Sequence, residues 1–196
     1  MKKGLIITVI IIAVIAAFAG WCISSYNGLV GAEEQVDSQW AKVESQYQRR
    51  ADLIPNLVNT VKGYASHENS TLENVVAARA KATQVTVDVN NLDEASLKKY
   101  QAAQGELSQA LGKLLAITEN YPDLKANQNF LELQAQLEGT ENRITVARDR
   151  YNEIAKSYNV TVRRFPAAIV ANIAGFDKKP YFQAEAEASK APKVEF

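Results

Sequence analysis

The sequence predicts an all-α protein: an antiparallel, mainly four-helix bundle of long helices behind an N-terminal transmembrane helix. Three observations predict it. An uncharged apolar run fills Leu5–Ile23. Apolar residues then recur at three- and four-residue steps through Val36, Trp40, Val43, Tyr47, Ile54, Leu57 and Val61, the period of a helix with one buried face. Further on, Phe130, Leu137, Ile144, Tyr151 and Tyr158 stand seven apart, a heptad that packs against other helices.

The first element is the anchor. Nineteen residues of helix span roughly 28 Å, close to the hydrocarbon thickness of about 30 Å. Trp21 and Tyr26 stand where an interfacial aromatic belt would lie. Ala17-Phe18-Ala19 fits a signal-peptide cleavage site, but the run exceeds the usual h-region of roughly 7–15 residues, so retention is expected. Lys2 and Lys3 precede the span, and no Lys or Arg follows until Lys42. The positive-inside rule therefore puts the N-terminus in the cytoplasm and the bulk of the chain outside.

Behind the anchor comes a long helix interrupted in its sequence by "RRADLIPNLV", Arg49–Val58. Tyr47, Ile54, Leu57 and Val61 keep helical spacing through Pro55, so the proline is expected to kink a continuous helix rather than end it. The Pro55 ring frees the carbonyl of Ala51, and Asn56 is the residue expected to hydrogen-bond a freed backbone group. Arg50 is the odd residue. In the series Val36, Val43, Arg50, Leu57, Tyr64 it holds a place that should be apolar. A buried arginine there needs a carboxylate partner, or must snorkel to water. The preferred reading is an internal ion pair that fixes bundle register. The other is a contact to a small ligand or partner made by Arg49, Arg50, Asp52, Pro55 and Asn56.

A break falls near Asn69, where Ser70-Thr71-Leu72-Glu73 fits a capping box. "VTVDVNNL", Val85–Leu92, reads as a loop. The next helix covers about Asp93–Glu119, with the stripe Leu97, Tyr100, Gln104, Leu107, Leu111, Leu114, Thr118. Gly105 and Gly112 inside it each cost about 1 kcal/mol relative to Ala, and close approach of a neighbouring helix would justify them. Pro122 suits a first helical turn, opening a helix predicted over Asp123–Thr161. Its heptad fits a coiled-coil dimer or an intramolecular bundle; three long amphipathic helices with short connections favour the bundle. "PAAIVANIAG", Pro166–Gly175, is a short helix with proline at its start and glycine at its end. The organisation expected is an anchor over 1–25, a bundle over 26–182 and a loosely ordered tail over 183–196.

Chemistry is sparse. Basic and acidic residues balance at 22 each, unlike a nucleic-acid binder. The single histidine, His67, precludes a zinc site built on paired histidines. Cys22, the only cysteine, permits no intrachain disulfide. There is no glycine-rich phosphate loop and no nucleophile elbow. Carboxylates such as Glu141 and Asp149 read as solvated helix-face partners of arginines. No catalytic set, cofactor or metal is expected. The expected partners are the membrane, proteins of the envelope and further copies of the chain.

Three stretches resemble a known family. "WAKVESQYQRRADLIPNLVNTVKGYASHENSTLENVVAARA" (Trp40–Ala80), "YNVTVRRFPAAIVANIAGFDKKPYF" (Tyr158–Phe182) and the terminal "APKVEF" are similar to the signature regions of the LemA family of bacterial membrane-anchored proteins. The resemblance covers nearly the whole chain. It implies a four-helix bundle and membrane organisation, and brings no established enzymatic activity or cofactor.

Overall fold

A computed structural model describes residues 2–183. Within them the structure is all-helical: α1 (Lys2–Tyr64), α2 (Asn69–Gln84), α3 (Glu94–Thr118), α4 (Pro122–Lys125), α5 (Gln128–Arg163) and α6 (Ala167–Ala174), with a single 3-10 turn at Val89–Asn91. The terminal "APKVEF" and residues 184–196 of the expected tail lie outside the described residues. The chain divides into two compact units, 39–152 with 180–196, and 1–38 with 153–179.

The first unit is the four-helix bundle. A four-residue turn joins α1 to α2, and Arg79 on α2 reaches back to Ala51 on α1. Gln104 on α3 bonds the carbonyl of Ala82 near the end of α2. α5 pairs with α1 in the opposite sense, Gln39 meeting Ala147 at one end and Tyr64 meeting Asn127 at the other. Chain direction therefore alternates from each helix to the next, the up-down-up-down arrangement that short loops impose. The lower core gathers Ile54, Leu57, Val61, Leu72, Val75, Leu107, Leu114 and Phe130. The heptad residues Phe130, Leu137, Ile144 and Tyr151 are all buried, as the spacing predicts.

Local signals differ in places from the sequence reading. Ser70 does not cap α2. The helix begins one residue earlier, behind Glu68, without a side-chain cap. The helix expected over Asp123–Thr161 is two helices. Asn127 interrupts it, its Oδ1 accepting from the amide of Phe130 at 3.0 Å, which satisfies a donor left over by the first turn. Asp93 does the same for α3, accepting from Ser96 at 2.7 Å. Gly105 and Gly112 are not points of close approach: a Cβ at either would meet nothing within 4 Å. Gln183 is held in place, its carbonyl accepting from Gln101 and Arg148.

The second unit contains the start of α1, the end of α5, and α6. Leu5–Ile23 is helical and exposed except for the half-buried Trp21 and Cys22, and the helix is long and apolar enough to cross a membrane. α6 ends as predicted, with Gly175 in the left-handed region at φ 79° where a side chain would be strained. Beyond it, Asn159 clamps the backbone of Lys179 through two bonds of 2.8 and 2.9 Å. The buried Lys179 ammonium pairs with Glu33 at 2.9 Å. Burial raises the Asp37 carboxyl above the usual range, against the pull of Lys179.

Candidate functional site

The only arginine of the helical series that points into the bundle is Arg50, and it is 1% exposed. α1 places it there because Val43 and Leu57, one heptad either side, are fully buried on the same face. Its guanidinium meets two other helices. One terminal nitrogen donates to Ser108 Oγ on α3 at 2.7 Å and to Glu141 Oε2 on α5 at 2.8 Å. The other donates to the carbonyl and to Oε1 of Gln104, at 3.1 and 2.8 Å. The Gln104 amide then continues to Ala82 of α2 at 3.2 Å. One polar crossbar thus ties all four long helices. Tyr47, one turn before Arg50, lies 5.2 Å from the guanidinium carbon, a cation–π contact. Arg50 Nε is buried without a hydrogen-bond partner among the described residues.

The expected carboxylate partner exists, but it is Glu141, a residue that reads in sequence as a solvated helix-face charge. It is half exposed, with only its inner oxygen on Arg50. Gln104 carried the available signal: it is a polar residue inside the apolar stripe of α3. Ser108 carried none, because it lies beside the stripe rather than in it.

The other polar and proline residues of Arg49–Val58 do not converge on Arg50. Arg49, Asp52, Pro55 and Asn56 are exposed. Asp52 accepts from Gln48 one turn away at 2.7 Å. Pro55 sits inside an unbroken α1. The carbonyl that it frees is taken not by the exposed Asn56 but by another helix: Arg79 Nε on α2 donates to Ala51 O at 2.7 Å. Ala51 is buried, so an orphaned carbonyl there would cost about 1–3 kcal/mol. Arg79→Ala is therefore expected to destabilise the bundle by about 1–3 kcal/mol. Pro55→Ala restores an amide able to bond Ala51, so the same Arg79 change should cost less in that background. A double-mutant cycle by chemical denaturation measures the difference; a cycle that closes at zero would mean that Arg79 does not answer the proline.

The arrangement is one that binds and orients. A planar guanidinium forks its hydrogen bonds between several acceptors at once. Ser108 accepts from Arg50 and lies 3.3 Å from the Gln104 carbonyl, to which its hydroxyl donates. A cleft of about 400 Å³ opens beside the crossbar between α3 and α5, walled largely by Leu111, Leu115 and Leu137. Arg50, Ser108 and Glu141 line the same cleft, with the terminal nitrogens of the guanidinium held by protein acceptors.

Bundle and crossbar define a class: an all-α protein with four antiparallel helices locked by an internal arginine, and an N-terminal helix apolar enough for a membrane. The chain belongs to the LemA family, whose model matches residues 39–196. It is similar to the magnetosome protein MamQ 2 of Paramagnetospirillum magneticum, 27% identical over 93% of this chain and 74% of that one. It is similar at 26% to the magnetosome protein MamQ of Magnetospirillum gryphiswaldense, with the same coverage. Protein LemA of Metamycoplasma hominis is 25% identical over 81% of this chain and 68% of its own.

Proposed function

We propose that this protein is a non-catalytic, membrane-anchored scaffold of the bacterial cell envelope, acting through protein–protein or membrane-organising contacts. The observation that carries the reading is α1. One unbroken helix begins as an exposed apolar span and continues as the wall of the bundle core. Such a chain serves to hold a folded surface at a membrane. The crossbar supports the same reading, since its terminal nitrogens are all engaged by acceptors on neighbouring helices. Relatives named as magnetosome proteins and as LemA agree with it. The two lysines before the span favour a cytoplasmic N-terminus, with the bundle outside the inner membrane.

Crosslinking of the full chain in native membranes, after an alkaline wash, tests this. The protein should stay with the membrane, because an inserted helix is held by burial rather than charge. It should also join discrete partners, either other envelope chains or further copies of itself. Release by the wash would remove the anchor; retention without any discrete adduct would remove the scaffold. Protease added to intact spheroplasts should cut the bundle, and protection until lysis would reverse the orientation.

A further inference from the structure

We propose that α6 is an interfacial helix: its Phe165, Ile169 and Ile173 stripe enters the surface of the lipid bilayer that α1 crosses. The proposal rests on reading Leu5–Ile23 as a membrane span, and adds a second point of lipid contact.

The stripe is real in sequence and in space. Ile169 and Ile173 are four apart in α6 and share one side of it, and Phe165 precedes them in the turn that leads into the helix. They are 79%, 46% and 83% exposed. Three large apolar side chains facing water in a row are unusual on a surface that stays in water. The opposite side of α6 is spent on packing, with Ala171 fully buried.

What covers the stripe follows from where α6 sits. Phe176, just past its C-terminus, packs edge-on against Tyr26 of α1, ring centroids 5.6 Å apart. Tyr26 is three residues beyond Ile23, about 4.5 Å along the helix axis from the end of the apolar run. Three residues after Phe176, Lys179 pairs with Glu33. Glu33 is seven residues, about 10 Å, further from the span than Tyr26. The chain leaving α6 therefore climbs away from the span, and α6 lies on the membrane side of that climb. At about 12 Å long, it is held at the height where the bilayer surface must be.

Charge fits the same occupant. Arg163 and Arg164 stand exposed just before the stripe, and Lys178 just after it. They outnumber Asp177, the one carboxylate in that stretch. Cations flanking an apolar face at a bilayer surface meet anionic headgroups while the face enters the acyl boundary. A second copy or a protein partner would not require the stripe to sit beside the exit of the span. A lipid surface does.

The test uses the full chain in vesicles of phosphatidylcholine and phosphatidylglycerol, with Cys22→Ser as background. An environment-sensitive dye is attached in turn at Ile173→Cys, at Ile12→Cys in the span and at Asn142→Cys on an exposed face of the bundle. Lipids with brominated acyl chains then serve as quencher. Quenching at positions 12 and 173, several-fold above that at 142, is the expected result. Quenching at 12 with position 173 no different from 142 would overturn the proposal and leave the anchor standing. A dye at 173 that is shielded from water yet unquenched by the brominated lipid would place a protein on the stripe, and would also overturn it. If position 12 is unquenched too, the span reading itself has failed and this proposal falls with it.

Discussion

Arg50→Ala is expected to destabilise the bundle by about 2–5 kcal/mol, as deletions of large buried side chains do when they also orphan a buried acceptor. The loss has several sources here. Four hydrogen bonds between 2.7 and 3.1 Å disappear. The amide oxygen of Gln104 is left buried without its donor, while the Gln104 carbonyl keeps that of Ser108. A side chain volume is vacated among helices that cannot fully close on it. Glu141 contributes less, because its half-exposed carboxylate returns to water. Arg50→Lys should rescue little, since a point charge cannot fork between α3 and α5 as a planar guanidinium does. Glu141→Gln should be milder, about 1 kcal/mol, because an acceptor remains. Urea denaturation of the full chain in mild detergent, followed by circular dichroism, ranks the three. If Arg50→Ala melts with the parent chain while losing its crosslinked partners, the crossbar is a contact surface and not a lock.

That contrast marks how far the sequence could be read. Periodicity located the core well, because burial of one helix face repeats with the helix itself. Val43, Leu57, Leu137, Ile144 and Tyr151 all lie where their spacing puts them. Arg50 was legible as an anomaly for the same reason. Its partner was not. Glu141 follows Thr140, a fully buried neighbour, and nothing local distinguishes a carboxylate that turns inward from one that faces water. Only the register of α5 against α1 brings it within 2.8 Å. Arg79 is the same kind of case: Pro55 announces a free carbonyl, but which side chain takes it depends on where α2 lands. The capping box at Ser70 and the unbroken helix from Asp123 were local patterns overruled by other local chemistry, the second by the Asn127 cap. Asn152, which clamps Phe182 through bonds of 3.0 and 2.9 Å, gave no signal in sequence.

Trp40→Ala is expected to cost a similar amount, about 3–5 kcal/mol, as deletions of large buried aromatics do. Trp40 is 2% exposed. Phe182 stacks on its indole at 5.6 Å and 13°, while Tyr100 and Tyr151 meet it at 5.5 and 5.6 Å. Such pairs add about 0.5–1.5 kcal/mol beyond area alone. The change should also free the segment around Phe182, since the stacked ring and the Asn152 clamp hold it together. Limited proteolysis would then cut near Pro180–Gln183 in the variant before the parent chain. Trp40→Phe keeps a ring in place and should lose less than half as much. Trp40 and Arg50 do not touch, but Tyr100 and Tyr47 connect them, packed edge to face at 5.4 Å, with Tyr47 against the guanidinium. The double variant should therefore depart from additivity by about 0.5–3 kcal/mol, the range for residues sharing a network. Strict additivity would mean that the aromatic cluster and the arginine crossbar are two independent cores, and that the tyrosines between them transmit nothing.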